Sequence, residues 1–184
     1  LLKKNITAIA LEYIEDGHGG YPFVESLGEI SGVSSVLIAA ELLATSQKAK
    51  GILFGNISGV KPLSTVVIGA SSTGVVAAET AMALGSQVAL FDLDVSKLRI
   101  ARQHISANLS TQLIADTALA EALKEADVVI GALSGERRAP VVVSQSMVDQ
   151  MQEGSVIIDI SIDSGGCIET SELTTHDRPT TSYN

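Results

Sequence analysis

The chain has 184 residues, 46% of them hydrophobic, 3% aromatic and 18% charged, which is length enough for one good-sized domain with its own core and too apolar for a disordered segment. Against 12 Lys and Arg stand 21 Asp and Glu, a formal net charge of -9 at pH 7, which removes the attraction behind non-specific nucleic-acid binding and adhesion to anionic membranes. Cys167 is the single cysteine, so no intramolecular disulfide can form and a reducing, cytoplasmic setting is expected.

At the start of the chain, Lys3 and Lys4 lead into Asn5, Ile6 and Thr7 rather than a long apolar region, so no signal peptide is expected. Apolar stretches are broken before the roughly 20 residues that a bilayer span requires, and no membrane segment is expected. Residues 6–11 have strand composition and 16–21 form a glycine-rich loop; 1–32 as a whole reads as an edge segment from a domain junction. A long connecting helix follows over 33–50, with Val36, Leu37, Ala40, Leu43 and Ala44 as an apolar stripe that packs in a core or joins two domains or subunits. Glycines and Pro62 make 51–62 a loop.

Beyond it, nearly continuous apolar runs at 65–68, 87–91, 112–115, 127–130 and 155–160 read as strands buried on both faces. Between them, 74–84, 95–108, 118–125 and 145–152 have helical composition, with Gly85 and Gly154 at boundaries. This alternation predicts an α/β fold, a Rossmann-like doubly wound parallel sheet with helices on both faces and a core over 65–163. The chain opens at Leu1 and closes after a polar run, as expected of a piece of a longer protein.

The chemistry concentrates where the first of these strands ends, in Gly69-Ala70-Ser71-Ser72-Thr73-Gly74. In the dinucleotide-binding fingerprint the first glycine permits a tight turn, the second lets the backbone approach the pyrophosphate, and the third allows close helix packing. Gly69 and Gly74 fill the first and third places and Ser71 takes the second, so a Cβ and a hydroxyl enter where phosphate comes nearest the main chain. Asp92 closes the next strand 23 residues after Gly69, near the offset of about 20 at which a carboxylate receives the ribose hydroxyls and repels a 2′-phosphate. The alternative role for Asp92 is to cap the helix near Val95. Lys97 and Arg99 are either adenosine contacts or solvated helix charges.

At the far end of the sheet, Asp159 and Asp163 arrive with Gly165, Gly166 and Cys167. Ligands of open α/β sheets sit beyond the carboxyl ends of strands, which puts Asp163 where nicotinamide and substrate would meet; alternatively it bonds its own turn backbone. Cys167 reads as a buried small residue. His18, His104 and His176 show no metal-ligand spacing, so no metal is expected, and there is no nucleophile elbow or phosphate-loop lysine motif.

The same residues carry a family resemblance. Thr7-Ala8-Ile9-Ala10-Leu11-Glu12, Gly55-Asn56-Ile57-Ser58-Gly59-Val60, Ala126-Asp127-Val128-Val129-Ile130-Gly131-Ala132, Gly154-Ser155-Val156-Ile157-Ile158-Asp159, Gly166-Cys167 and Thr174-Thr175-His176-Asp177 together resemble the NAD-binding domain of alanine dehydrogenase over nearly the whole chain. The alpha-subunit domain of proton-translocating transhydrogenase is similar too, although Ile162-Asp163-Ser164-Gly165-Gly166-Cys167 sits closer to the dehydrogenase pattern. The resemblance implies oxidation of L-alanine to pyruvate and ammonia with NAD, two-domain subunits in a hexameric homo-oligomer, and a substrate site supplied by another domain. It implies a pyrophosphate turn at Gly69 and Gly74, a ribose contact at Asp92 and a catalytic Asp163; Ser71, Ser72, Thr73, Lys97, Ala132, Leu133 and Ile162 are expected as further cofactor contacts. Ser71 for glycine, Gly28 for the family's serine and a 133–140 loop about one residue short are the departures. The other readings open at this point are a transhydrogenase-like domain that presents NAD to a partner, and a non-catalytic relative with a degraded site.

Overall fold

A computed structural model describes residues 2–45, 50–135 and 138–183. Five strands, β1 (Ser64–Ile68), β2 (Gln87–Asp92), β3 (Ser110–Leu113), β4 (Val128–Gly131) and β5 (Val156–Asp159), form one sheet in the order β3-β2-β1-β4-β5, every pair parallel. The order reverses at β1, which pairs with β2 on one side and β4 on the other. The carboxyl ends of β1 and β4 therefore flank a switch point, where such sheets hold ligands.

Five helices cover the sheet: α1 (Pro22–Thr45), α2 (Ser72–Ala83), α3 (Val95–His104), α4 (Asp116–Lys124) and the single-turn α5 (Gln145–Val148). On one face Val67, Leu90, Val128 and Ile130 meet Val36, Ala39 and Leu43 of α1, the alanines of α2 and Leu98 of α3. On the other, Val66, Ile68, Phe91 and Val129 meet Leu119 and Leu123 of α4 and Val148 of α5. With a core on each side, β1 and β4 have no solvent face, which is why they read as unbroken apolar runs. Ala77, Ala78 and Ala81 are fully buried, and their small side chains let α2 lie close to the sheet.

The N-terminal third differs from expectation. Residues 6–10 pair with no strand among the described residues, and a 310 turn follows at Leu11–Tyr13; apolar alternation makes no strand without a neighbour to complete its ladder. Helix α1 begins at Pro22 rather than 33, with the proline at a helix start where its missing N–H costs nothing. Gly28 and Gly32 argue against a helix locally, yet both face α2. A Cβ at Gly32 would lie 2.6 Å from the Thr73 carbonyl oxygen, and one at Gly28 2.7 Å from Thr73 Oγ1. Residues 46–49 of the expected helix lie outside the described residues.

The expectation about membrane-spanning length also fails, because α1 has 24 residues and contains an 18-residue window of mean hydropathy 1.5, long and apolar enough by those measures to cross a bilayer. It nevertheless carries Glu25, Glu29 and Glu41 and buries Val36, Ala39 and Leu43 completely in this fold. Strand β3 starts at Ser110 instead of 112 because it is the sheet edge, where Ser110, Thr111 and Gln112 suffice. Helices α3 and α5 end earlier than their composition suggested, at His104 and Val148.

At the amino-terminal edge of the sheet, Lys50 Nζ donates to Asp127 Oδ1 at 2.7 Å and to Gln152 Oε1 at 2.9 Å, while Ser64 N donates to Asp127 Oδ2 at 2.9 Å. Only 15% and 18% of the Lys50 and Asp127 side chains are exposed. Replacing Lys50 with Ala is expected to lower the unfolding free energy by about 1–3 kcal/mol, since a half-buried carboxylate loses its charged partner. The 3.9 Å Lys61–Glu125 pair is exposed, and Lys61→Ala is expected to change stability by under about 0.5 kcal/mol. Urea unfolding of both variants checks the contrast.

Candidate functional site

The turn from β1 into α2 is built on two positions that reject a side chain. Gly69 has φ +111°, and a Cβ there would overlap the Ala132 carbonyl. At Gly74 a Cβ would overlap the Gly69 carbonyl, so α2 packs directly on the turn. Ser71 sits between them at φ -74°, ψ 174°, ordinary extended backbone. Its hydroxyl does not cap α2 but donates to the Ala132 carbonyl oxygen at 3.2 Å, bridging the ends of β1 and β4. The first helical bond here runs from Val75 N to Ser71 O at 2.9 Å. The N–H groups of Ser72, Thr73 and Gly74 thus have no intrahelical acceptor, the arrangement that receives anions at helix starts.

Asp92 lies behind this turn, 3% exposed. Its Oδ2 accepts from Ala70 N at 2.6 Å and its Oδ1 from Asp94 N at 2.8 Å. The cap of α3 is a different residue: Asp94 Oδ1 accepts from Ser96 N at 2.7 Å. The capping alternative for Asp92 is thereby overturned. Instead its carboxylate ties the glycine turn to the end of β2, and an ionised carboxylate with about four acceptor sites keeps some for a ligand.

Ala132 and Leu133, immediately after β4, are buried against this turn. Lys97 and Arg99 are not drawn into it. Both are exposed on α3 and make no hydrogen bond or ion pair among the described residues, and Arg99 instead lines a 360 Å³ hollow with Arg102, Thr111 and Leu113 on the β3 flank. A cleft of about 520 Å³ is lined by Leu93, the residue after Asp92, and by Ile114, Val141, Val142 and Met147 with Asp116, Ser144 and Glu169. Nothing local marks these residues in the sequence, because they come from four separate connections; the usable signal is that Leu93 directly follows Asp92. Residues 136–137 of the 133–140 connection lie outside the described residues.

Beyond β5, a 310 turn over Ile160–Ser164 carries half-buried Ile162 and exposed Asp163, whose Oδ1 accepts from Ser164 Oγ at 3.2 Å. It occupies the same sheet edge as the glycine turn, two strands across. Cys167 is fully buried, and burial first, then the charge of nearby Asp159, pushes its thiol up to about 11. It is no nucleophile at neutral pH, as only the thiolate reacts. Among the described residues no three His, Cys, Asp or Glu side chains gather to hold a metal.

A parallel sheet that reverses direction at β1, with its glycine turn pressed against the end of β4, defines a Rossmann-like nucleotide-binding domain. The chain belongs to the alanine dehydrogenase/PNT C-terminal domain family, whose model matches residues 35–184. The alanine dehydrogenase of Mycolicibacterium smegmatis is 39% identical over 181 residues, 98% of this chain and 49% of that protein. A solved L-alanine dehydrogenase superposes with TM-score 0.89 at 37% identity, covering 96% of this chain and 49% of that one. A transhydrogenase from Sinorhizobium meliloti is more distant, with TM-score 0.65 at 28% identity over 81% of this chain and 44% of its own. The chain spans about half the length of the relatives it matches.

The Ser71 hydroxyl has a single proton to donate, and the Ala132 carbonyl holds it in this structure. A pyrophosphate at the turn would meet both that engaged hydroxyl and the Cβ. Ser71→Gly is therefore expected to tighten NAD binding by about 1 kcal/mol, the size of one ordinary hydrogen bond. Calorimetric titration checks it; weaker binding would make Ser71 a phosphate donor instead.

Proposed function

We propose that the chain is the NAD-binding domain of a two-domain, NAD-dependent alanine dehydrogenase that converts L-alanine to pyruvate and ammonia. The observation that carries this reading is the Gly69–Gly74 turn, closed to side chains at both glycines and backed by Asp92. The cleft that begins at Leu93 has the size of a small-molecule site, about 300–1,000 Å³, and the side chains of Leu93, Ile114, Val141, Val142 and Met147 would suit an adenine ring. The N–H groups of Ser72, Thr73 and Gly74 would hold the pyrophosphate. Asp92 would accept from ribose hydroxyls, and with Asp116 and Glu169 nearby its charge disfavours a 2′-phosphate, so NAD is preferred to NADP.

NAD supplies the hydride acceptor when bound. Asp163, at the sheet edge, would accept a hydrogen bond from the nicotinamide ribose, steady a protonated histidine of the other domain, or order a water for attack on the imine; Ala132, Leu133 and Ile162 would line that end of the cofactor. Substrate recognition falls to the other half of the longer protein, and residues 1–32 would form part of the junction. The full protein is read as a cytoplasmic homo-oligomer. The dehydrogenase reading ranks above a transhydrogenase-like one because the likeness to dehydrogenases is both higher in identity and wider in coverage.

Replacing Asp92 with Ala is expected to weaken NAD binding at least about tenfold, equivalent to about 1.4 kcal/mol, and to narrow the preference over NADP; calorimetry with both dinucleotides decides. In the full-length protein, L-alanine is expected to drive NADH formation, followed by absorbance. Asp163→Ala should cut turnover by about two orders of magnitude, the scale of a proton-handling group, while the NAD dissociation constant stays within about threefold. The 184-residue chain alone should bind NAD without oxidising alanine, because reaction needs the substrate held at about 3–3.5 Å from the acceptor.

A further inference from the structure

We infer that Asp159 is the positioning residue for Asp163, an inference that rests on the dehydrogenase reading above. Asp159 ends β5, and both of its oxygens accept backbone N–H groups. Oδ1 accepts from Ser161 N at 3.1 Å, and Oδ2 from Cys167 N at 3.1 Å and Ile168 N at 3.2 Å. The carboxylate thus pins the outgoing and returning limbs of one short loop.

Between those limbs the chain reverses through Gly165 at φ +104° and Gly166 at φ +72°. Gly165 N donates to Ile162 O at 3.1 Å and Gly166 N to Ser161 O at 2.9 Å. From the sheet side, Gly131 is the register partner of Asp159, and a Cβ at Gly131 would lie 2.9 Å from Asp159 Oδ1 and 2.6 Å from Cys167 Sγ. The carboxylate is therefore boxed in by β4 as well as by its own loop.

Asp163 has no comparable anchor of its own. It is exposed, and among the described residues its one side-chain bond is to the adjacent Ser164. Its place in the site is set by the backbone turn that Asp159 closes, with Ser164 O also accepting from Ala139 N at 2.9 Å and Gly165 O from Arg138 Nη2 at 3.1 Å. An amide cannot substitute: asparagine offers one acceptor oxygen, so at least one of the three backbone N–H groups would face an NH₂. Asp159 is itself half-buried beneath the loop and acts through Asp163 rather than on substrate.

The test is a double-mutant cycle on alanine-dependent NAD reduction by the full-length protein, with Asp159→Asn, Asp163→Asn and the pair. Asp159→Asn is expected to lower kcat at least about tenfold with the NAD dissociation constant within about threefold, and the pair to be no slower than Asp163→Asn alone. Losses that multiply, or an unchanged kcat, would overturn the inference, since a purely structural role does not vanish when Asp163 is gone. If Asp159→Asn yields no folded protein, Gly166→Ala takes its place, because the added Cβ would sit 3.1 Å from both Asp159 Oδ2 and Ile162 Cδ1, at a φ of +72° that strains a side chain, and would loosen the carboxylate's fit in the loop. If the unmutated protein shows no alanine-dependent reduction, the dehydrogenase reading fails. Amide hydrogen exchange in the peptide covering residues 160–168 of the native full-length protein then decides whether Asp159 holds the loop. Exchange at least about tenfold faster in Asp159→Asn at the N–H groups of Ser161, Cys167 and Ile168 supports the pin; equal exchange removes it.

Discussion

The cofactor edge of this domain depends on one close approach, the passage of Gly69 against the Ala132 carbonyl. Parallel pairing of β1 with β4 brings the two strand ends level, Ile68 beside Gly131, and the chain must then turn away on both sides. Only a residue without a side chain leaves space for that turn beneath α2. The same steric demand repeats one layer out, where Gly74 lets α2 rest on the Gly69 carbonyl, and again where Gly28 and Gly32 let α1 cross the first turn of α2. Three layers of backbone are stacked through successive glycines, and the helix start that would meet a phosphate is held by this stack together with the side-chain bonds of Asp92 and Ser71.

Carboxylates complete what the glycines begin. Asp92 fixes the turn of β1 from the end of β2, Asp159 fixes the segment after β5, and Asp127 draws Lys50 and the start of β1 together at the opposite edge. Each accepts backbone N–H groups that would otherwise lie unpaired in poorly hydrated surroundings, the arrangement in which hydrogen bonds to charged groups contribute most. The acidic composition is thus partly structural, with carboxylates placed where strands end and backbone donors converge.

The parallel sheet and its glycine turn were legible because burial on both faces forces apolar runs, and because the turn demands glycine at fixed spacing. Gly69, Gly74 and Asp92 follow from that logic alone. Helix α1 starts eleven residues before the 33 that the sequence pattern suggests, because Gly28 and Gly32 look like helix breakers until α2 is beside them. Residues 6–11 carry strand composition, but no local pattern says whether a neighbouring strand exists. The role of Asp94 as the cap in place of Asp92 turns on a two-residue offset that spacing cannot resolve. The cleft and the Asp159 loop assemble from distant connections, so they depend on tertiary packing.

The exposed side of helix α1 is largely apolar, interrupted by Glu25, Glu29 and Glu41. Phe23, Val24, Leu27, Ile30, Leu37 and Ile38 all remain exposed while its opposite side is packed on α2, a pattern associated with helices that are covered all round. For the domain on its own, solution behaviour becomes a contest between two ranges of force. The charge of -9 repels neighbouring molecules over a Debye length, about 10 Å at 0.1 M salt, whereas the bare helix attracts only on contact. Added salt shortens the first without weakening the second, so the colloidal stability of the isolated domain is governed by ionic strength, and low-salt buffers are the conditions in which it stays dispersed.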